Sequence, residues 1–404
     1  MKVQIIIAAA ITLVVSGLSH SNEGKSTTSP PDPSTTTPTP TAEPHMQEAM
    51  FTEAEVEEYI RLFPYQDTFN YAMRYTGGEP SKLNKWVLGA EPSLVKAGED
   101  KVVRMNNDTF YNMAFVYLKD QPVYLQAETP DKSRFVSFQL MDDRNVNYRN
   151  IIFPNGEFTL YHGSKPEEIR GVAIAVPSAL SVVIVRVEVK DPGDAQDVST
   201  AADIFRTITI EGPEPESFPE VDVLSGFSDA VAEEAHYRLD EAFEKIPFRL
   251  TVVGPGGNLG DYTPYLNHSA GTKGGWGGPG TEHSSYETIN LGRDQKPLVG
   301  KNGTYTVTTK APPVDAFWSL TVYDTERGGF LHPNKYDRYH INNTLAVAND
   351  EGTYTFLFKQ DCSEDDINCL EVPAGRFDVA ARYYLPSKAI QSGDWVLPPL
   401  ELKD

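Results

Sequence analysis

The sequence predicts a mainly β protein with helices, built from two β-rich domains. Apolar and polar side chains alternate within residues 102–190, and they alternate again within residues 304–385. Two stripes of apolar residues at helical spacing lie between these stretches. A chain of 404 residues is long enough for two domains that each bury a core.

The N-terminus has the pattern of a secretory signal peptide. Lys2 precedes an apolar run over residues 3–15, which is too short for a membrane span, and small residues follow it. We therefore expect a signal peptide at residues 1–21, with an uncleaved anchor as the alternative. The mature protein is expected to be periplasmic or secreted, without a membrane span. Residues 22–50 are rich in Ser, Thr and Pro, which predicts a disordered stalk.

The chain is strongly acidic. It has 35 Lys and Arg residues against 57 Asp and Glu residues, a net charge of −22. Such a surface repels nucleic-acid phosphates and anionic lipid headgroups, so we expect neither as a partner. Nothing in the composition indicates an oligomeric state.

The two cysteines, Cys362 and Cys369, stand close together in an acidic segment. In an exported protein this spacing favours a disulfide that closes a short loop. Two cysteines without a neighbouring histidine would make a poor zinc site, which is the alternative.

The folded part is expected to begin with a helix. Thr52 and Glu55 fit a capping box, and an apolar stripe follows them. Pro64 is expected to interrupt this helix, and a second helical piece to run through Tyr75 before Gly77 ends it. These pieces begin the first domain, which we place at residues 51–212.

Strands should follow within the first domain. Asn155 and Gly156 have the sequence of a hairpin turn between two short apolar runs. Val183, Val185 and Val187 alternate with polar residues, which predicts an antiparallel sheet with one face in solvent.

Two helices and a glycine-rich segment are expected after the strands of the first domain. The apolar spacing predicts one helix over residues 198–208 and another over residues 231–246, capped by Ser228. Residues 254–280 contain many glycines, which predicts an irregular loop that links or covers the domains. We place this connecting region at residues 213–280.

The second domain is placed at residues 281–404. Trp318, Leu320 and Val322 should point into a core, with polar residues on the opposite face. Several such strands separated by Gly, Pro and Asn predict a β-sandwich.

Several motifs occur in an order that resembles a known pair of domains. Those in the first half are VVRMNNDTFY at 102–111, RFVSFQLMDD at 134–143 and SVVIVRVEVKDPGD at 181–194. Those in the second half are WGGPG at 276–280, PPVDAFWSLTVYD at 312–324, HPNKYDRYHINN at 332–343 and GDWVLPP at 393–399. Together they resemble the tandem family of domain of unknown function 1254 followed by domain of unknown function 1214. The resemblance implies two jelly-roll-like antiparallel β-sandwich domains with N-terminal and interdomain helices, and an exported or cell-envelope setting. It implies no reaction.

The first motif carries the candidate catalytic residues Arg104, Asn106, Asp108 and Tyr111. On a strand, the first three would share one face and form the rim of a pocket for a polar ligand. The alternative is a structural role, in which Arg104 forms an ion pair with an acidic residue, and Asn106 and Asp108 form hydrogen bonds that stabilise a turn.

A second candidate set belongs to the second domain and would bind a ligand. It consists of Tyr323, Arg338, Asn342, Asp378, Arg382 and Tyr384. If these faces meet, they form a cleft lined by arginine and tyrosine that suits a carboxylate or a sugar. The alternative is an ion pair between Asp378 and Arg382 on the solvent side.

Two groups of residues could bind a divalent metal ion as a cofactor. Asp142, Asp143, Arg144, Asn145 and Asn147 contain oxygen ligands for calcium, or they form a solvated surface loop. Four histidines that are scattered along the sequence could also bind a metal if the fold brings them together. The alternative is that they lie on the surface or form ordinary hydrogen bonds. They are His268, His283, His332 and His340.

No nucleophile motif is present, since the sequence has no G-x-S-x-G elbow. One hypothesis is an exported enzyme that acts on a small polar or carbohydrate-like molecule, with Asp108 or Tyr111 as acid or base. The other is a non-catalytic module of the cell envelope that binds a ligand or takes part in assembly.

Overall fold

The computed structural model describes residues 51–89, 91–99, 104–119, 121–129, 131–245 and 264–403. The expected signal peptide and stalk, the start of the first motif at 102–103 and part of the glycine-rich segment at 246–263 lie outside the described residues.

The described residues form a mainly β structure with helices, as predicted. The strands of the first half are β1 (Thr109–Tyr117), β2 (Val123–Ala127), β3 (Val136–Asp142), β4 (Asn147–Ile152), β5 (Gly156–Tyr161), β6 (Val172–Ala175), β7 (Leu180–Glu188) and β8 (Thr209–Glu211). Those of the second half are β9 (Ser284–Ile289), β10 (Tyr305–Lys310), β11 (Trp318–Asp324), β12 (Phe330–Leu331), β13 (His340–Asn342), β14 (Thr353–Lys359), β15 (Cys369–Glu371), β16 (Phe377–Tyr384) and β17 (Glu401–Leu402). The helices are α1 (Glu53–Thr76), α2 (Ala195–Thr207), α3 (Asp229–Lys245), α4 (Pro264–Gly275) and α5 (Lys388–Ser392).

The first half is a β-sandwich. Its inner sheet has the strand order β1-β7-β3-β4, and its outer sheet has the order β6-β5-β2-β8. Phe138 and Val185 of the inner sheet pack against Leu125 and Phe158 of the outer sheet. The pairing is antiparallel except between β5 and β6. Helix α2 adds Phe205 to the same core.

The second half is another β-sandwich. Its inner sheet has the order β12-β11-β16-β9, with β13 paired to β11, and its outer sheet has the order β15-β14-β10-β17. Trp318, Leu320 and Val322 point into the core between the two sheets, as predicted. Next to the edge strand β15, Cys362 and Cys369 form the predicted disulfide, with their Cα atoms 6.0 Å apart.

Pro64 does not end the first helix, so the prediction of two helical pieces was wrong. Helix α1 is continuous, with the predicted capping box at Thr52 and its end at Gly77. A proline at position 64 cannot donate to the carbonyl of Ile60. The hydroxyl of Ser269 donates to that carbonyl instead, at 2.6 Å, so the buried acceptor has a partner.

Part of the glycine-rich segment is helical rather than an irregular loop. Helix α4 begins at Pro264, a residue that fits the first turn of a helix, and it packs against α1 and α3. Ala270 of α4 lies in a separate apolar cluster with Val56 and Ile60 of α1 and Leu239 of α3. Packing therefore outweighs the low helix propensity of glycine here. The two helices predicted after the strands of the first domain are confirmed as α2 and α3, and Ser228 caps α3.

The predicted hairpin at Asn155 and Gly156 was wrong. Strand β4 pairs with β3 in the inner sheet, whereas β5 pairs with β2 in the outer sheet. The turn therefore crosses from one sheet to the other. Thr129 holds it in place: its hydroxyl donates to the carbonyl of Pro154, and its N–H donates to the side chain of Asn155 at 3.1 Å.

The inner sheet of the first sandwich does not have a face in solvent, contrary to the prediction. Every residue of β7 is buried, including Arg186 and Glu188 on the face away from the valines. Part of this face packs against α1 and Trp276, and the rest faces the inner sheet of the second sandwich. The polar faces of the two inner sheets thus meet.

Candidate functional site

The first motif leads into the contact between the two sandwiches. Arg104, Asn106 and Asp108 precede β1, so the prediction that they share one face of a strand was wrong. Arg104 has a left-handed φ of 49°, and its N–H donates to Gly329 of the second sandwich at 2.8 Å. The segment is thus held in an irregular conformation that directs its polar groups across the interface.

Arg104 forms an ion pair with Asp378 of β16. Its Nε lies 3.1 Å from Oδ2, and the two side chains are 12% and 1% exposed. Burial raises the pKa of Asp378, although the neighbouring guanidinium acts in the opposite direction. Arg104 therefore pairs with an acid, as the structural alternative proposed. The other alternative, a solvent-exposed ion pair between Asp378 and Arg382, was wrong.

Asp108 accepts hydrogen bonds from two hydroxyls of the second sandwich. Ser319 donates to Oδ2, and Tyr384 donates to Oδ1 at 3.2 Å. The amide of Asn106 donates to Tyr384 and to Tyr111, the latter at 3.2 Å, and its Oδ1 accepts from the N–H of Asp108. These groups form a continuous chain of hydrogen bonds across the interface.

Arg382 is buried beside this chain. Its guanidinium donates to Thr321 at 3.0 Å, to the hydroxyl of Tyr323 at 2.6 Å and to the carbonyl of Arg104 at 3.0 Å. Tyr323 in turn donates to the carbonyl of Met105 at 2.7 Å and is fully buried. The expectation that the Tyr323 face is free for a ligand was therefore wrong.

Arg186 is the member of the site that sequence reasoning missed. Its Nε donates to the hydroxyl of Tyr111 at 3.0 Å, and Nη1 donates to the side chain of Gln139 at 2.6 Å. The guanidinium also lies 4.9 Å from the centre of the Tyr111 ring. Among the described residues, no carboxylate oxygen lies within the 4.0 Å that defines a salt bridge to Arg186.

The interdomain network, as we call Arg104, Asp108, Arg186, Asp378 and Arg382, carries three guanidinium groups against two carboxylates. The tyrosines around it add no negative charge at neutral pH. Loss of solvent raises the pKa of Tyr286 to about 12, and burial raises the pKa of Tyr384 well above its usual value. The five network residues alone therefore carry one net positive charge, and the buried carboxyl of Glu188 lies near Asp108 with its pKa raised to about 7, mainly by burial.

Two buried acceptors near the network have no hydrogen-bond partner among the described residues: Oδ1 of Asp378 and Nε2 of His340. Nδ1 of His340 lies 3.4 Å from the side-chain oxygen of Asn107, which fits an N–H at Nδ1. Burial lowers the pKa of His340, so its imidazole is neutral and Nε2 is an acceptor. Both atoms suit a hydroxyl donor.

The network has an exposed edge. Asn106, Tyr111 and Tyr286 are each only partly buried, whereas Arg186 is 3% exposed. Arg186 donates to the hydroxyl of the partly buried Tyr111, so a small ligand that took the place of this phenol would meet the guanidinium.

The other predicted ligand-binding residues do not join the network. Arg338 is exposed, with its guanidinium 5.8 Å from the ring centre of Tyr336. Asn342 is buried, donates to the carbonyl of Lys190 and accepts from two N–H groups in its own turn, so its bonds are structural.

The four histidines do not converge, and three of them hydrogen-bond, as the alternative to a metal site expects. His283 contacts Ser137 at 2.9 Å, His340 contacts Asn107, and His268 contacts the carbonyl of Arg144 at 2.6 Å. His332 is half-buried beside the acidic residues Asp324 and Glu371. Within the part of the chain that the structure describes, no three His, Cys, Asp or Glu residues are grouped closely enough to hold a metal ion.

The acidic turn after β3 has protein partners for most of its oxygen atoms. Both oxygens of Asp142 accept from Arg144, and Asn145 Oδ1 accepts from the N–H of Gly277 at 3.0 Å. Asn145 and Asn147 are buried, so the alternative of a solvated surface loop is wrong for them. Asp143 lies beside Ser178 and has no ion-pair partner among the described residues, and it is considered below.

Comparison with known proteins identifies the family. A model described as Protein of unknown function (DUF1254) matches residues 87–209, and one described as Protein of unknown function (DUF1214) matches residues 283–388. The chain belongs to the tandem DUF1254–DUF1214 family. No curated protein matches the sequence.

One solved structure shares the fold of this DUF1254–DUF1214 chain, and a second matches it less well. The VPA0106 protein from Vibrio parahaemolyticus matches with a TM-score of 0.72 at 19% sequence identity, over 87% of this chain and 99% of that one. An uncharacterized protein from Burkholderia cenocepacia matches with a TM-score of 0.41 at 12% identity, over 87% and 94%. At such low identity the Vibrio structure supports the fold alone. None of the helices in the described residues is long and apolar enough to cross a membrane.

Proposed function

We propose that this chain is an exported, non-catalytic binding protein whose interdomain network takes a small, hydroxyl-rich ligand that bears a carboxylate. The observation that carries this proposal is Arg186, a buried guanidinium bonded by neutral oxygens alone. A carboxylate is the partner that its planar donors suit best.

The energetic argument concerns the burial of a charge. Removing a guanidinium from water costs several kcal/mol, and an ion pair usually offsets that cost. Here a phenol, an amide oxygen and an aromatic ring supply only part of the compensation. A protein that keeps such a charge in its interior gains affinity for an anion that completes the pair.

The rest of the interface supports a ligand with hydroxyl groups. The unpaired acceptors on Asp378 and His340 can each take a hydroxyl proton, as a sugar acid or hydroxy acid would supply. The polar composition of the two facing sheets also makes their separation less costly than opening an apolar interface.

Export is part of the proposal. Support comes from the apolar run at residues 3–15 and from the disulfide between Cys362 and Cys369, because disulfides persist mainly in oxidising compartments.

The test is a thermal-unfolding titration of the full chain with a panel of small carboxylates, including sugar acids, hydroxy acids and the matching neutral sugars. We expect one class of acid to stabilise the protein. At a concentration about 100 times its Kd it would add about 2.7 kcal/mol to the free energy of unfolding. Arg186→Met should lose this response, because the carboxylate no longer has its partner.

Arg293→Met is the matched control, since Arg293 is exposed and pairs with Glu401 on the second sandwich. It should keep the response. An equal response of Arg186→Met and wild type, or stabilisation by neutral sugars alone, would contradict the proposal.

A second candidate function is acid–base catalysis on a small polar or carbohydrate-like substrate. The hydroxyl of Tyr111 at the exposed edge favours it, because a phenol beside the guanidinium of Arg186 can deliver or accept a proton, and Asn106 holds this hydroxyl in place. Export and the interdomain location are common to both candidates.

Incubation of the protein with the same panel, followed by mass spectrometry of the products, tests this second candidate. If turnover occurs, Tyr111→Phe should reduce it by about 100-fold or more, while the thermal midpoint changes little. Tyr117→Phe, on the same strand and outside the network, should leave turnover intact. A loss of turnover that merely follows loss of stability would show that Tyr111 is structural.

A further inference from the structure

A second concave site lies at one end of the first sandwich, away from the interdomain network. Its volume is about 310 Å³, and its walls come from α1, the turn after β3, the end of β5 and the segment before β7. The lining residues with polar or aromatic side chains are Tyr65, Asp142, Asp143, Arg144, His162 and Ser178. The volume is at the lower end of the roughly 300–1,000 Å³ of small-molecule sites, so a small organic ligand fits.

Asp143 is the acidic group of this site that has no cation partner. Its neighbour Asp142 is 1% exposed and pairs with Arg144, whose Nη2 lies 2.8 Å from Oδ2. In the described part of the chain, no lysine or arginine forms an ion pair with Asp143 itself, which is half-buried beside the cavity. The two carboxylates and one guanidinium leave the site with one net negative charge.

His162 supplies a second acceptor. Its Nδ1 lies 3.0 Å from the carbonyl of Val176. Because a carbonyl only accepts, Nδ1 carries the proton of the neutral imidazole, and Nε2 keeps a lone pair. Tyr65 from α1 adds a partly buried aromatic ring to the wall.

We propose that this site binds a small organic cation with a primary ammonium group. The ammonium has only donors, which match the carboxylate of Asp143 and Nε2 of His162, and the ring of Tyr65 is a suitable neighbour for a cation. The net charge of −22 raises the local concentration of such cations around the protein. A neutral sugar matches the acceptors but not the net negative charge.

The protonation of Asp143 makes binding depend on pH. Burial and the neighbouring Asp142 raise the pKa of Asp143 to about 6, while Arg144 opposes them. The other titratable groups at this end are Tyr65 and His162 in the wall and His268, which bonds the carbonyl of Arg144. Affinity should therefore rise as the pH increases from about 5 to about 7, because Asp143 loses its proton over this range.

The experiment is a calorimetric titration of the full chain with propylammonium chloride, and with 1-propanol as the neutral probe of the same shape. Wild type should bind propylammonium and not propanol. Asp143→Asn should weaken binding by about tenfold or more, which corresponds to about 1.4 kcal/mol. His162→Gln provides a second variant with the same expected direction.

Glu157→Gln is the matched control, since Glu157 is an exposed acid on β5 outside the cavity and its loss changes the net charge equally. It should bind as wild type does. Equal affinity of Asp143→Asn and Glu157→Gln, or propanol binding as tightly as propylammonium, would overturn the proposal. Failure of propylammonium to bind wild type at millimolar concentration would overturn it as well, without bearing on the carboxylate site at Arg186.

Discussion

The ion pair between Arg104 and Asp378 is the residue-scale contact that links the first motif to the second sandwich. Asp378 is almost fully buried, and its partner Arg104 belongs to an irregular segment with a left-handed φ at Arg104. Loss of one member leaves the other charge buried without compensation, which is more costly than loss of both.

We therefore expect Asp378→Asn to lower the free energy of unfolding by about 3–5 kcal/mol. The double variant Arg104→Met, Asp378→Leu should cost less than the sum of the single variants Arg104→Met and Asp378→Leu, because it removes both charges together. Urea denaturation of these variants measures the coupling. If the effects of the two single variants on the free energy of unfolding are additive, the interaction between Arg104 and Asp378 contributes little to stability.

The sequence predicted most residues of the interdomain network, but it did not predict that they are buried between the two sandwiches. The polar residues of the two motifs were singled out because charge and amide groups interrupt strand patterns, and they do meet across the interface. Arg186 was assigned to a solvent face, because alternation in one strand cannot reveal that another domain covers that face. The regular spacing of Arg104 and Asp108 was also an unreliable sign of a strand.

At the scale of elements, the continuity of α1 depends on a side chain from a distant helix. Pro64 removes one backbone donor, and the hydroxyl of Ser269 in α4 takes its place at the carbonyl of Ile60. Local sequence predicts a break at Pro64, since the compensating hydroxyl is 205 positions later in the chain.

This arrangement predicts a specific coupling. Ser269→Ala should lower the free energy of unfolding by about 1–3 kcal/mol, because the buried carbonyl loses its partner. In a Pro64→Ala background the same substitution should cost about half as much or less, since the alanine N–H can donate to the carbonyl of Ile60. Chemical denaturation of the four proteins tests this, and an equal cost in both backgrounds would contradict it.

The wrong prediction of a hairpin also arose because distant contacts decide the structure. Asn155 and Gly156 have the local sequence of a hairpin, yet the strands on either side pair in different sheets because each buries its apolar face against different neighbours. The capping of α1 and α3 and the core face of β11 were predictable, because they depend on residues that are close in sequence.

At the scale of the whole molecule, two sandwiches meet through the polar faces of their inner sheets. Family resemblance and strand patterning predicted the two sandwiches, and the disulfide followed from the spacing of the cysteines. The way the sandwiches face each other was not predictable, because it depends on contacts between residues that are often more than two hundred positions apart. Within the interdomain network, the guanidinium of Arg186 has no carboxylate partner, which is the basis of the proposed binding of an acid.

A crystal structure of the protein with the carboxylate that stabilises it most tests the central claim most directly. The account predicts the ligand between the two inner sheets, with its carboxylate oxygens within hydrogen-bond distance of the Arg186 guanidinium and its hydroxyls near Asp378 and His340. A complex in which Arg186 still contacts only Tyr111 and Gln139, with the ligand bound elsewhere, would contradict it.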